Sequence, residues 1–442
     1  MRCQKLTFVG CGRRGLLKYA AIALGAFGMN AVLSAQTLGA SLPAQTWAEY
    51  QFASDHNAVF DSPQWDVGWR ADVGDKINGA LSIVGTTLYV ESFDRKLYAL
   101  DALTGKTLWL ASLPNIAMNA PLVINGLVIA GTGSNAVLPT TPPLFAQPQG
   151  DYVAAFDAAS GAPRWTFRTV GEDMPTGVLV NGHTPELIFS NGDGHVYALN
   201  AIDGTLIWKQ KILGVATMSS LAAAANLVFG VSTYHMLGVW YRPQYSWSWA
   251  LRPQSGQFVW TAPFGDSDCS PTFGAGALFV ESNFPVDASG RKGEYSEVYS
   301  LEAKSGALRW RYRSGVGSIS LSGSNEQSIA GLFANGRLYQ SLPFTRELAA
   351  FDARDGRVVW KIATQDPVKM SAVLKDGWLY FGDTAGYFYV VRAADGMIRA
   401  RIKFPDTFTP SPPVIVGNTL FVTNGRTVRA IPIAELQRGS AP

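Results

Sequence analysis

Seven times along this chain an apolar run and a turn built on Gly follow one another, and in six of the seven a Trp closes the pattern. The copies are LYALDALTGKTLW ending at Trp109, VAAFDAASGAPRW at Trp165, VYALNAIDGTLIW at Trp208, WALRPQSGQFVW at Trp260, VYSLEAKSGALRW at Trp310, LAAFDARDGRVVW at Trp360, and YVVRAADGMIRA, where Ala400 stands in the Trp position. Their turn glycines, from Gly105 to Gly396, lie 40 to 56 residues apart. A repeat of that period means an array of like units rather than unrelated domains.

Each copy reads as a hairpin. Alternating residues such as Leu97, Ala99 and Asp101 suit a strand, the Gly supplies the positive φ of a tight turn, and the next strand carries the Trp. Ahead of every copy stands a second hairpin signal, for instance APLVINGLVIAGT from Ala120 and SAVLKDGWLYFGD from Ser371, with Asn-Gly or Asp-Gly at the turn. Four strands per repeat make a propeller blade, and one Trp per blade is a packing pattern between blades.

Seven copies predict seven blades, and the tail PPVIVGNTLFVTNGRTVRAIPI from Pro412 supplies three more strands without a fourth. The segment WDVGWRADV, Trp65 to Val73, provides the missing strand, with Trp69 in the Trp position of blade eight. Pairing the two ends closes the ring and removes its edges. The expectation is an all-β, eight-bladed propeller over residues 47–434, with 435–442 as a C-terminal tail. A chain of 442 residues that is 47% hydrophobic is ample for that core.

The first 35 residues have another task. Arg2, Lys5, Arg13, Arg14 and Lys18, with no acid among them, precede the apolar run YAAIALGAFGM, which has the layout of an export signal and is too short to span a bilayer. The run GRRGLLK resembles a twin-arginine signal, although no Ser or Thr precedes the arginines. Its removal leaves 31 basic against 33 acidic residues, so the formal charge of +3 belongs to the leader. No nucleic-acid partner is implied, nor insertion into a membrane. Cys3 and Cys11 depart with the leader, Cys269 alone remains, and no Cys follows the apolar run where a lipid would be attached. The expectation is an exported, soluble periplasmic protein; the sequence leaves homo-oligomerisation open.

No Cys-x-x-Cys, His pair at ligand spacing, Gly-rich phosphate loop or Gly-x-Ser-x-Gly elbow occurs. His56, His183, His195 and His235 are scattered and read as turn or surface residues. In a propeller the segments leading into the inner strands converge at the axis. Here those segments carry Asn78, Asn119, Glu172, Ser219, Asp268 and Lys369, a polar ring of the kind that makes a ligand site.

The Asp-x-x-x-Gly-x-x-x-Trp hairpins resemble the pyrroloquinoline quinone (PQQ)-type propeller family, which includes quinoprotein dehydrogenases and an outer-membrane assembly lipoprotein. The resemblance covers nearly the whole mature chain and implies a fold rather than a reaction. The dehydrogenases hold PQQ with an adjacent cysteine pair and a calcium site of Glu, Asn and Asp; this chain has no adjacent cysteines, and no motif assigns Glu172, Asn78, Asn119 or Asp268 to calcium. PQQ and calcium are therefore unsupported, and no cofactor is expected.

The chain is more similar to the tetrathionate hydrolase branch. The segments FASDHNAVF (52–60), MNAPLVINGLVIAGTGS (118–134), TVGEDMPTG (169–177), GVATMSSL (214–221), GDSDCSPTFGAGALFVES (265–282) and SPPVIVGNTLFVTN (411–424) look like that family in the same order. The resemblance implies a catalytic acid or base at Asp268. Tetrathionate is a dianion with an S–S bond, and its hydrolysis needs a group to activate water and donors for the sulfonate oxygens. Asp268 suits the first role; Asn78, Asn119, Glu172, Ser219 and Lys369 suit the substrate-binding ring. The rival readings are a non-catalytic propeller acting as a binding or assembly scaffold at the outer membrane, and a PQQ-dependent dehydrogenase.

Overall fold

The computed structural model describes residues 40–41, 46–62, 65–133, 146–173, 176–182, 184–216, 218–233, 246–264, 270–286, 293–317 and 330–439. They form eight sheets, seven of them antiparallel with four consecutive strands each and the eighth six-stranded, with two parallel pairings at one edge. Blade 1 is built from Ser82–Val84, Thr87–Ser92, Lys96–Asp101 and Thr107–Ser112. Blades 2 to 7 follow at residues 122–171, 178–211, 222–262, 272–313, 332–363 and 373–403. The short first strands of neighbouring blades touch one another and so line the axis. Leu-Val-Ile at 122–124 and Val-Ile-Val at 414–416, wholly buried, show why these strands need continuous apolar sequence.

The eighth blade is closed by both ends of the chain. Val414–Val416, Thr419–Asn424 and Thr427–Pro432 pair in order, and Trp69–Asp72 adds antiparallel to the last of them, with Trp69 opposite Ala430 and Asp72 opposite Thr427. The expected eight-bladed ring, closed by strands from the two ends, is what the chain forms.

The Gly and Trp of the repeat are two halves of one joint between blades. Trp109 of blade 1 donates its indole N–H to Ala158 of blade 2 at 3.0 Å and lies on the turn glycine Gly161. The same joint runs from Trp310 to Ala353 at 2.9 Å and from Trp360 to Ala393 at 3.0 Å. Blade 7 offers Ala400 instead of Trp, and blade 8 has no turn glycine to receive one. The helix Ile433–Arg438 packs against the outer strand of blade 7 there, with Leu436 fully buried and Gly439 next to Ala400.

A second device recurs in blades 3, 4 and 8 and ties each to its predecessor. A polar residue at or next to the end of the second strand binds the segment arriving from the preceding blade: Asn191 Nδ2 donates to the Gly171 and Glu172 carbonyls at 2.8 and 3.1 Å, Ser232 Oγ to Leu213 O at 2.6 Å, and Asn424 Nδ2 to Thr407 O at 3.1 Å. Such residues are sealed from solvent, so an unmade bond at any of them would cost its full desolvation.

Residues 47–58 are not part of any blade; they fill the axis. Propeller inner strands present free N–H groups to the channel, and this segment satisfies them in order around the ring. Val123 donates to Trp47 O (3.0 Å), Leu179 to Ala48 O (2.7 Å), Phe273 to Ser54 O (2.7 Å), Phe333 to Asp55 O (3.0 Å) and Ile415 to Ala58 O (2.9 Å). Two side chains complete the circuit, Ala223 donating to Glu49 Oε2 at 3.0 Å and Leu374 to Asn57 Oδ1 at 2.8 Å. Positive φ at Gln51, Phe52 and His56 lets so short a segment turn within the channel. It leaves as Val59–Asp61, which pairs in parallel with the first strand of blade 8.

Candidate functional site at the axial mouth

The segments leading into the inner strands are joined in a belt. Ser82 Oγ donates to Pro121 O at 2.5 Å, Ala120 N to Thr176 Oγ1 at 2.7 Å, Thr176 N to Ser220 Oγ at 3.0 Å and Ser220 N to Ser270 Oγ at 2.9 Å. Farther round, Ser371 Oγ donates to Ala330 O at 2.6 Å and Thr409 Oγ1 to Ile77 O at 2.7 Å, returning to blade 1. Small hydroxyl residues recur there because each must bridge to the next blade without filling the mouth.

The substrate-binding residues expected from the sequence sit on or beside this belt. Asn78 is half-buried in blade 1, followed by Gly79, whose lack of a Cβ admits the Asn119 carbonyl of blade 2. Asn119 is buried; its Nδ2 donates to Asp173 O at 3.3 Å, while its Oδ1 has no hydrogen-bond partner. Glu172 is 4% exposed, and its carbonyl receives Gly192 N–H at 3.0 Å. Ser219 and Lys369 are buried at the lead-ins to blades 4 and 7, next to Ser220 and two residues before Ser371 of the belt. The expected catalytic residue, Asp268, lies outside the described residues, as does Cys269; Ser270 beside them accepts from Ser220.

Several residues at the axis carry no signal of their position in the sequence. His56, expected at a turn or the surface, does occupy a turn, but it is 1% exposed, with Nδ1 3.0 Å from Gly331 O and 3.2 Å from Thr272 Oγ1. The Tyr50 ring meets it edge-on at 5.3 Å and packs with Ala80, Ala120 and Ala330. Asp173, next to Glu172, is an acid held by side chains, accepting from Thr169 Oγ1 and from Asn191 Nδ2 at 2.5 Å. A small cavity between blades 2 and 3 is lined by Asn119 and Asp173 together with Leu122, Ile129, Leu187 and Phe189.

Burial governs the electrostatics. It pushes the Glu49 and Asp173 carboxyls well above the usual carboxylate range, against the hydrogen bonds each accepts. Glu91, sealed beside blade 2, is pushed up likewise, and the Asn119 backbone N–H only partly offsets its burial. Desolvation raises Asp55 to about 7 and lowers His56 to about 4. In weak acid these groups are neutral, leaving hydroxyls, amides and Lys369 as the mouth's polar character. Such donors suit an oxyanion.

The fit to quinoprotein cofactors is poor. The chain has no adjacent cysteine pair, and among the described residues no three His, Cys, Asp or Glu side chains converge as a metal site. Among those residues, too, no helix is long and apolar enough to cross a membrane.

The PQQ_2 family, described as "Outer membrane protein assembly factor BamB", matches residues 58–233 and 345–438. Among curated proteins, the tetrathionate hydrolase of Acidithiobacillus ferrooxidans is 27% identical over 89% of this chain and 87% of its own. That of Acidianus ambivalens is 24% identical over 85% and 76%. The outer membrane protein assembly factor BamB of Yersinia pestis is 24% identical over 84% and 79%. Among solved structures, quinohemoprotein alcohol dehydrogenase ADHIIG from Pseudomonas putida HK5 superposes with a TM-score of 0.65 at 13% identity, over 90% of this chain and 81% of that one. At that identity the superposition speaks for the fold alone.

Proposed function

The chain belongs to the PQQ_2 family of β-propellers, and within it we propose an exported hydrolase of tetrathionate or a related polythionate, working at the axial mouth without an organic cofactor. The observation that carries this reading is the similarity to two tetrathionate hydrolases along most of both chains. The mouth supports it chemically. Asn78, Asn119, Ser219 and Lys369 supply donors for sulfonate oxygens, and the burial-neutralised acids remove the repulsion that a dianion would otherwise meet in weak acid.

Asp268 is the acid–base group in this reading. As the oxygen of water bonds to sulfur, Asp268 takes the water's proton, and the S–S bond breaks with its electron pair departing on the other sulfur. Cys269 has a structural role. Export by the twin-arginine route accords with Arg13 and Arg14 ahead of the apolar run.

Purified mature protein incubated with tetrathionate between pH 3 and 7, with thiosulfate and sulfate followed by ion chromatography, tests the reading. Turnover with an optimum in acid is expected. Folded protein that turns over no polythionate would defeat it and favour the assembly-scaffold reading, which the similarity to BamB proteins supports.

A further inference from the structure

We propose that the cavity between blades 2 and 3 binds a single structural water, which donates its two protons to Asn119 Oδ1 and to the Asp173 carbonyl and so joins the lead-ins of the two blades. The inference concerns the site rather than the reaction, and it stands whether or not the chain hydrolyses polythionates.

A glycine sets the place. Gly131 lies two residues beyond Ile129, which pairs with Leu122 at the start of the first strand of blade 2. Glu91 has the same register in blade 1, two residues beyond Tyr89 opposite Ser82, and its side chain reaches the backbone of Asn119 in the next lead-in. Gly382 has it in blade 7, two residues beyond Tyr380 opposite Val373, and there the Phe408 ring of the next lead-in comes within 2.4 Å of where a Cβ would stand. A side chain thus fills the space between neighbouring blades at both of those positions. At Gly131 two polar groups meet instead, for a Cβ would stand 2.2 Å from Asp173 O and 2.6 Å from Asn119 Nδ2. Gly131, Asn119 and Asp173 line the cavity, and its apolar wall is Leu122, Ile129, Val153, Leu187 and Phe189.

The chemistry of the cavity selects water. Its volume is about 20 Å3, against the roughly 10–15 Å3 that one water requires. Asn119 and Asp173 are the polar side chains of the lining, 7% and 1% exposed. Both Asp173 carboxyl oxygens are engaged, by Thr169 and Asn191, and burial pushes that carboxyl well above the usual carboxylate range. With no cation in the lining and the acid kept protonated, a charged ligand would find no counter-ion. Asn119 Nδ2 donates to Asp173 O at 3.3 Å, but Oδ1 has no partner in the protein. A buried acceptor left unpaired costs its full desolvation, and Asp173 O keeps a second lone pair. One water answers both acceptors. Held by the water at Oδ1 and by Asp173 at Nδ2, the Asn119 amide has a single orientation.

The test is a crystal structure of the mature protein at a resolution that orders single waters, with oxygen-17 relaxation dispersion to count long-lived waters in solution. Density for one water within hydrogen-bond distance of Asn119 Oδ1 and Asp173 O is expected. Asn119→Leu, which removes one acceptor, should lose one long-lived water relative to wild type. Val153→Ile supplies the comparison if that variant does not fold. A methyl added to the wall should displace the water and lower the thermal midpoint, because Oδ1 is then unpaired, whereas in a dry cavity the same methyl would fill space and raise it. Wild-type crystals with a dry cavity, a protein donor on Oδ1 or density larger than one water would overturn the assignment. So would an unchanged water count in folded Asn119→Leu, or a midpoint that does not fall in Val153→Ile.

Discussion

The indole of Trp69 lies so close over Gly105 that a Cβ on that glycine would come within 2.5 Å of the ring, and its N–H donates to Ala102 O at 2.9 Å. Trp69 stands on the strand that closes blade 8, while Gly105 turns blade 1, so this contact is the joint at which the ring is sealed. Trp69→Ala should cost about 3 kcal/mol, the scale of a large aromatic lost from a packed joint. Urea unfolding measures it; a loss below about 1 kcal/mol would mean that strand pairing alone secures the closure. Gly105→Ala should also destabilise, since the residue has φ of 72° and no room for a methyl group.

Stability should fall as pH rises from about 4 to 7. Asp55 has its folded pKa raised from 3.8 to about 7, so over that window the folded state holds a proton that the unfolded state has released, and raising the pH favours unfolding. Glu49, Glu91 and Asp173, all wholly buried and pushed well up, act in the same sense. His56 opposes them: lowered from 6.5 to about 4, it favours the folded state as pH climbs through that interval. Asp55→Asn, which keeps the acceptor for the Asn57 N–H, should flatten the decline in thermal midpoint between pH 4 and 7. His56→Gln should steepen it between pH 4 and 6.5. A wild-type midpoint higher at pH 7 than at pH 4 would contradict this sign.

Asp268→Asn should lower tetrathionate turnover about 10²-fold or more, the contribution usual for a general acid or base, with an unchanged circular dichroism spectrum. Cys269→Ser should be nearly silent. Full activity in the Asn variant would remove Asp268 from the mechanism.

Replacing Arg13 and Arg14 together by Lys should leave uncleaved precursor in the cytoplasm, because twin-arginine export reads the pair itself rather than its charge. Fractionation with a blot for precursor and mature forms measures this. Processing at the normal rate would point to another export route.

The blade count, the packing of one Trp per blade between blades and the use of Trp69 for closure were legible in the sequence because each is a local pattern repeated with a period, and repetition turns weak propensities into a firm count; that each Trp lies on the next blade's turn glycine was not. The ring of lead-in residues followed from that count, since a closed ring of blades brings the starts of their inner strands together whatever lies between them. Asn119 lies on one of those lead-ins and is buried there. Glu172 is buried in the lead-in to blade 3, and its neighbour Asp173, which the sequence reading did not single out, is an acid that Thr169 and Asn191 hold. Both are buried, and no pattern in TVGEDMPTG tells which side chains of other strands each will meet.

Residues 47–58 mark the other limit. WAEYQFASDHNA has neither the alternation of a strand nor the period of a helix, because its order comes from the free edges of inner strands distant in sequence. Periodicity in the chain by itself determined an eight-bladed ring and where its mouth would be. Only the tertiary structure decided that the axis is filled, that Tyr50 packs among the lead-ins of blades 1, 2 and 6, and that burial shifts Glu49, Asp55 and His56 from their ordinary ranges. Those properties arise from the desolvation and hydrogen-bonding demand of a channel that exists once the blades have closed around it.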